Sequence, residues 1–324
     1  MEEHLCFLKF SLNTLFGEGM SSYEMASDQK NQLKVQGFTL LSNALPKSIL
    51  QRWQRLAEQL EKKALIAHEQ STPMHGGCVI EDPVGPRVMR IDDVLVLDPS
   101  AVIELLSCPA MMTVARELCG RGAIPLQLDI LYKHQHPHPI IMWHQDAIHP
   151  RRDPYFNIGI YLDDADAEDG CLKYVPGTQH KLQDIPALAN AHGWDIPGVV
   201  EQPAKAGDIL IQDMMVLHGS APKRSHGVRR TVYIELRPVN GVRESASQSE
   251  HWIELRKRWM GLVLQQADPA NWPKEWRHDY PTDLASLEEE SERIVAHWEA
   301  PIPAVYGVQN IERAGYPVPE DMEA

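Results

Sequence analysis

The sequence has no basic surplus: 31 lysines and arginines stand against 45 aspartates and glutamates, a formal net charge of −14 over 324 residues. Nucleic acids and anionic membranes are bound through a basic footprint, so neither is expected as a partner. Long apolar runs are also missing. The stretch from Leu5 to Phe16 is broken by Lys9 and Asn13, well short of the ~20 apolar residues that span a bilayer. Cysteine is scarce. Cys6, Cys78, Cys108, Cys119 and Cys171 are odd in number and irregularly spaced, with no Cys-x-x-Cys pair, which fits free thiols in a reducing compartment better than a disulfide framework. Met1-Glu2-Glu3 is acidic where an export or mitochondrial leader is basic, and Met322-Glu323-Ala324 is no peroxisomal address of the Ser-Lys-Leu type. A cytoplasmic location is therefore expected. With 43% hydrophobic residues, the chain can bury a large core.

What is present centres on Trp143-His144-Gln145-Asp146 and Leu217-His218-Gly219-Ser220. Side chains alternate along an extended strand, so His144 and Asp146 share a face while Gln145 points away. A distant strand must supply a third ligand. Asp208 to His218, launched from the turn Ala206-Gly207-Asp208, contains one. Two imidazoles and a carboxylate on a stiff scaffold make the facial site of non-heme Fe(II) enzymes, which leaves positions open for co-substrate and O2.

Arg229 and Arg230 follow on a further strand, Arg230 to Leu236. The planar guanidinium fork holds a carboxylate in a bidentate pair. A buried arginine beside an iron site thus suits a dicarboxylate whose keto acid end reaches the metal, such as 2-oxoglutarate. Adjacent strand residues face opposite ways, so a one-residue slip exchanges Arg229 and Arg230.

These segments, with Asp169-Gly170-Cys171-Leu172 and Val175-Pro176-Gly177-Thr178-Gln179-His180-Lys181 between them, are ordered as in the phytanoyl-CoA dioxygenase family of Fe(II)/2-oxoglutarate oxygenases. The sequence from roughly Gln127 to Pro238 resembles that family. The resemblance implies a mainly β double-stranded β-helix (jelly roll, cupin-like) with flanking α-helices. It implies that His144, Asp146 and His218 bind Fe(II) and that Arg229 anchors the far carboxylate of 2-oxoglutarate, with help from Ser220. Gln127 matches a position whose polar side chain touches the co-substrate, and Lys133 is a second candidate for that task. Halogenating relatives lack the carboxylate of Asp146, so hydroxylation of a small-molecule substrate by O2, with release of succinate and CO2, is expected over halogenation; desaturation, ring formation and epimerisation use the same ligands.

Two other clusters invite a metal reading. The run His134-Gln135-His136-Pro137-His138-Pro139 carries two prolines and reads as a loop. Asp163, Asp164, Asp166, Glu168 and Asp169 lack the glycine and glutamate spacing of a calcium loop and read as a solvated turn. Arg87, Arg90, Arg151 and Arg152 read as ion-pair partners at the surface rather than substrate contacts.

Three parts are expected: an N-terminal extension (1–30), the oxygenase domain with bracing helices (31–240) and a tryptophan-rich helical segment (241–324). Gly37 to Leu41 reads as a strand. Pro46 to about Ala67 reads as a helix, its stripe of Ile49, Trp53, Leu56, Leu60 and Ala64 spaced for packing and Pro46 at its first turn. Ser100 to Cys119 reads as helical, interrupted near Pro109 and stopped by Gly120. The long connection Lys181 to Val199 is a candidate for substrate access. Ser249 to Gln266 and Asp283 to Trp298 carry helical patterns. Trp252, Trp259, Trp272, Trp276 and Trp298 pack on the core, with a lid or a homodimer contact as the sharper alternatives. Two rival functions use the same ligands: a zinc-dependent hydrolase, and a non-catalytic metal or 2-oxoglutarate sensor.

Overall fold

The computed structural model describes residues 22–137, 140–146, 155–246, 248–299 and 322. Its strands are β1 (Phe38–Leu41), β2 (Gly77–Asp82), β3 (Gly85–Ile91), β4 (Ala123–His134), β5 (Ile141–His144), β6 (Phe156–Tyr161), β7 (Leu172–Val175), β8 (Val200–Gln202), β9 (Ile209–Asp213), β10 (Leu217–Ser220) and β11 (Val228–Pro238). A seven-stranded sheet runs in the order β1-β9-β6-β11-β4-β3-β2 and a four-stranded sheet in the order β5-β10-β7-β8. All pairings within the two sheets are antiparallel. From β4 onward the chain passes back and forth between the sheets, which makes the core a double-stranded β-helix, the fold class expected from the sequence.

Alternation gives each strand of the large sheet two different faces. Leu128, Ile130 and Tyr132 of β4, Val232 and Ile234 of β11, Ile158 and Ile160 of β6, and Ile209 and Ile211 of β9 join one apolar core with the helices. Their neighbours Lys133, Arg229, Thr231, Tyr233, Asn157 and Gln212 therefore face the small sheet, across the interior of the jelly roll. The polar residues sit on the inward face because this face lines a site rather than a dry core.

A short helix, α1 (Ser27–Gln36), precedes β1, and the outward face is covered by helices. In α2 (Lys47–Glu69), Ile49, Trp53, Ala57, Leu60 and Ala64 are buried, and Pro46 lies just outside as the N-cap rather than in the first turn. The interrupted helix resolves into α3 (Val94–Leu97), α4 (Pro99–Ser107) and α5 (Pro109–Val114), followed by a π-helical stretch, Ala115–Cys119, that ends at Gly120. Proline 109 breaks the run because it offers no N–H to the preceding turn. The β2–β3 hairpin goes unsignalled by the sequence, since Val79-Ile80 and Val88-Met89 are too short to show a period.

The connection from Lys181 to Val199 contains α6 (Ile185–His192). Its Trp194 packs on Trp143 with ring centroids 5.5 Å apart, and Trp143 Nε1 donates to Gly193 O at 2.8 Å. Trp143 and His144 alternate along β5, so this segment backs the small sheet on the face away from the histidines. The expectation of a substrate-access segment is corrected accordingly: the exposed aromatic face of Trp143 needed covering, and α6 covers it. After β11 come α7 (Val239–Ser245), α8 (Glu250–Gln266) and α9 (Leu287–Ala296). Trp252, Trp259 and Trp272 are buried within the chain, whereas Trp298 is 70% exposed. Among the described residues, no helix is long and apolar enough to cross a membrane.

Candidate metal centre

β5 and β10 pair so that His144 and His218 lie opposite one another, their ring centroids 4.1 Å apart. The chain leaves β5 at His144, and Asp146 N donates to Met214 O at 2.7 Å, which fixes where the carboxylate sits. Asp146 Oδ1 lies 3.2 Å from His144 Nε2, and Oδ2 lies 3.7 Å from His218 Nε2. One ligand atom from each of the three falls within 4.8 Å of the others. Cis ligands about 2.1 Å from one octahedral ion lie about 3 Å apart, so the spacing suits a common metal.

The tautomers follow from hydrogen bonds. His144 Nδ1 lies 2.7 Å from Met142 O and His218 Nδ1 lies 2.9 Å from Val216 O. A carbonyl only accepts, so each Nδ1 carries a proton and Nε2 is the atom left to bind a metal when the ring is neutral. Burial alone would hold the His144 imidazole neutral, but its hydrogen bond and charge attraction to Asp146 win and raise its pKa. His218 moves the other way, to about 4, through burial and the nearby His144. Asp146 is half-buried, and desolvation opposes its ionisation, yet His218 and His144 bring its carboxyl down to about 2.

Beside this triad lies a second cluster that is rich in donors. Lys133 and Arg229 are cross-strand partners on β4 and β11, both at 4% exposure. Lys133 Nζ donates to Ser220 Oγ at 2.7 Å and to Ser220 O at 3.0 Å. Arg229 Nη1 donates to Gly170 O, and Arg229 Nε is buried without a partner. Burial, and then repulsion from Arg229, push the Lys133 ammonium well below its ordinary pKa. Arg230 points the other way and forms a fork with Asp163, at 2.8 Å to Oδ2 and 2.7 Å to Oδ1. Of the two adjacent arginines, Arg229 alone faces the interior. Gln127 is not brought to this cluster: it is exposed, donates to Asp129 Oδ2 at 2.8 Å, and lies six residues before Lys133, nearer the start of β4.

Gln212 escapes the sequence reading. Its Nε2 is 3.2 Å from Asp146 Oδ2 and 3.0 Å from His218 Nε2, and its Oε1 accepts from Tyr174 Oη. Asn157, the cross-strand partner of Gln212, also donates to Asp146. A single polar residue at the end of the apolar run Ile209-Leu210-Ile211 is the signal that could have found Gln212.

A family model for phytanoyl-CoA dioxygenase matches residues 33–231, a stretch that contains the triad, Lys133 and Arg229. The chain belongs to the phytanoyl-CoA dioxygenase family. An L-proline trans-4-hydroxylase of Streptomyces griseoviridis is 32% identical over 100 residues, a match covering 28% of this chain and 37% of that enzyme's length. Among solved structures, AviO1 from Streptomyces viridochromogenes is 24% identical with a TM-score of 0.55, covering 67% of this chain and 96% of that one. EctD from S. alaskensis with bound Fe is 17% identical with a TM-score of 0.53, covering 69% and 80%. HygX from Streptomyces hygroscopicus with nickel, 2-oxoglutarate and hygromycin B bound is 17% identical with a TM-score of 0.52, covering 66% and 88%. These three show that the fold is shared.

In this phytanoyl-CoA dioxygenase family member the two decoy clusters have other occupations. Asp163 holds Arg230, Asp164 and Asp166 hold Lys205, and Asp169 accepts from Lys223, Ser225 and the Arg224 amide. His134 closes β4 and its Nε2 lies 2.9 Å from Val88 O, while His138 falls outside the described residues. Among the described residues, His144, Asp146 and His218 are the one group of this kind that could hold a metal. Arg87 binds Asp82 and the Gln135 carbonyl, and Arg90 binds Asp92; Arg151 and Arg152 lie outside the described residues.

Proposed function

We propose that this protein is an Fe(II)/2-oxoglutarate-dependent dioxygenase that hydroxylates an unactivated C–H bond of a small organic molecule and releases succinate and CO2. The observation that carries the reading is the juxtaposition, inside one jelly roll, of the two-histidine, one-carboxylate set with a buried pair of cations. The triad alone would suit several metals. A hydrolase, however, has no use for Lys133 and Arg229 held together in the interior without an acidic partner, whereas a dicarboxylate co-substrate would neutralise both.

The donor set fits Fe(II): two imidazole Nε2 atoms and one ionised carboxylate, three ligands that leave coordination positions on a six-coordinate ion for others. Iron with 2-oxoglutarate and O2 supplies the oxidising chemistry that a side chain lacks. The chain's own residues do the holding. Met142 O and Val216 O lock the imidazole tautomers, and Gln212 and Asn157 aim the Asp146 carboxylate. Arg229 would grip the far carboxylate of 2-oxoglutarate, with Ser220 and Lys133 as further donors. Gln127 lies toward the other end of β4, a position from which it would meet substrate rather than co-substrate.

The partial likeness to a proline hydroxylase favours hydroxylation of a small, amino-acid-sized molecule. Cys78, Cys108 and Cys171 are free thiols, which supports a cytoplasmic setting.

The test is succinate formation from 2-oxoglutarate by anaerobically purified protein given Fe(II), ascorbate and air. Turnover that disappears in His218→Ala supports the reading. Binding of iron and 2-oxoglutarate without succinate in the presence of a broad substrate panel points to a sensor, and activity with zinc in the absence of 2-oxoglutarate points to a hydrolase.

A further inference from the structure

The family match ends at residue 231, yet the inward face of β11 continues beyond it to Glu235 and Arg237. There the C-terminal helices α8 and α9 close against β4 and β11 and leave a narrow cleft, about 40 Å³ in volume, lined by Gln127, Glu235, Arg237, Trp252, Arg256 and Trp259 among others. A water-sized group needs roughly 10–15 Å³ on this measure, so the cleft admits about three such groups. That is the size of a carboxylate, not of a whole metabolite.

The chemistry of the lining points the same way. Arg256 is 8% exposed and lies over the Trp252 ring, 4.4 Å from its centroid. Its protein partners are two carbonyls, Leu126 O at 3.1 Å and Ile294 O at 3.0 Å. No carboxylate among the described residues forms an ion pair with it. Arg237 is 1% exposed and binds Glu235, and its Nη1 is buried without a partner. Trp259 Nε1 is likewise a buried donor without a partner. Buried donors left unpaired are costly, which marks places where a ligand atom belongs. Of the acids at the cleft, Glu235 pairs with Arg237, while Asp93, 3.4 Å from His75, and Glu299, which accepts from the Ser249 amide at 2.7 Å, attract Arg256 through space without forming an ion pair with it.

The cleft is also next to the metal centre. Glu235 is the cross-strand partner of Asn157, and Asn157 donates to Asp146. Cross-strand neighbours lie about 5 Å apart on a shared face. Lys133 and Arg229 lie at the opposite end of the same strands, so the co-substrate cluster and this cleft flank the triad from two sides.

We propose that the cleft is a substrate subsite that receives a carboxylate group, with Arg256 supplying the charge and Arg237 Nη1 and Trp259 Nε1 the further donors. The inference rests on the oxygenase reading and names its substrate class: small molecules bearing a free carboxylate. Trp252 stacks the guanidinium of Arg256 in place, so that its fork meets a planar anion with little ordering cost.

The test uses the full chain with Fe(II) and 2-oxoglutarate and reads succinate formation with a panel of L-amino acids, each beside its primary amide, starting with L-proline and L-prolinamide. Acids that raise the rate at least threefold, with amides inactive, are the expected result. In Arg256→Gln the concentration of acid giving half-maximal stimulation rises at least tenfold, and Arg256→Lys recovers part of it. Equal stimulation by acids and amides overturns the proposal, as does an Arg256→Gln variant that is folded and responds like the parent. A panel in which no acid stimulates, although basal succinate is formed, also overturns it. The acid–amide contrast needs no variant and so survives any folding defect. Loss of basal succinate together with loss of iron and 2-oxoglutarate binding removes the oxygenase reading itself, a distinct result.

Discussion

Lys133 and Arg229 stand opposite each other across β4 and β11, both buried; Lys133 donates to Ser220 and Arg229 to Gly170 O, and no carboxylate among the described residues pairs with either. Two like charges at cross-strand distance are destabilising on their own. Lys133 responds by favouring its neutral amine, which burial and Arg229 both promote. A bound dicarboxylate reverses that balance by attracting the ammonium form. Binding of 2-oxoglutarate is therefore expected to take up a proton on Lys133 where pH lies around its lowered pKa, and to weaken as pH rises through that range. Calorimetry in two buffers of different ionisation enthalpy measures the uptake; a buffer-independent heat would contradict it. Arg229→Gln should raise the dissociation constant for 2-oxoglutarate by about 30-fold or more, as loss of one partner of a buried charged contact costs about 2 kcal/mol or above.

Metal loading should depend on pH through His144. A protonated imidazole is no ligand, and the pKa of His144 is raised above its ordinary value while that of His218 is brought to about 4 and that of Asp146 to about 2. As pH falls, His144 is the first of the three to lose its ligand form. Affinity for Fe(II), or for Mn(II) as an air-stable probe, is expected to fall by about tenfold per pH unit below the His144 pKa, with one proton displaced per metal. Titration between pH 5 and 8 checks this; a pH-independent affinity would show that His144 is not a ligand.

The sequence carries these three side chains as a period-2 pair and a distant histidine, and that pattern needed no tertiary information because β5 delivers His144 and Asp146 from one strand end. The helix α2 was equally legible, since Ile49, Trp53, Leu60 and Ala64 keep one stripe over more than four turns. Gln212 was not, because a lone glutamine in an apolar strand is silent until β9 is laid beside β6. The choice between Arg229 and Arg230 also needed the register, which sends one side chain inward and the other to Asp163. Lys181 to Val199 was misread for the opposite reason: a long connection resembles an access segment until Trp143 is seen to require a cover.

Gly170 links the triad's surroundings to the cation pair. Its φ of +75° favours glycine, and its carbonyl accepts from Arg229 Nη1 and, at 2.7 Å, from Ser220 Oγ. A Cβ there would lie 2.9 Å from Lys133 Cε and 3.0 Å from Ala221 O. Gly170→Ala is expected to cost about 1–3 kcal/mol in stability from the backbone conformation alone. It should also displace Lys133 and so weaken 2-oxoglutarate binding. Thermal unfolding with and without 2-oxoglutarate separates the two effects: a mutant that loses stability but keeps the full ligand-induced shift would leave Lys133 without a part in binding.

The C-terminal helices are fastened by a buried ion pair whose pH signature is distinct from that of the metal centre. Glu290 on α9 has a fully buried side chain, and its carboxylate meets Arg258 on α8 at 2.5 Å and 2.7 Å. It also accepts from the Ala285 amide at 2.8 Å. These donors, Arg258 first, bring the Glu290 pKa down to about 2. The folded-state value is thus below the value of about 4.3 for an unfolded glutamate, so the unfolded chain binds its proton first as pH falls. The stabilisation is complete above the unfolded pKa and is lost progressively from about pH 4.3 down to about 2. Glu290→Gln should lower the unfolding midpoint at pH 7, because Arg258 loses its charged partner, and should flatten the fall in stability across that acid window relative to the parent. Denaturant melts at pH 7, 4 and 3, followed by tryptophan fluorescence from Trp252 and Trp259 as well as by far-UV circular dichroism, measure both effects. A variant whose acid profile runs parallel to that of the parent would show that other carboxylates set the acid stability of the C-terminal helices.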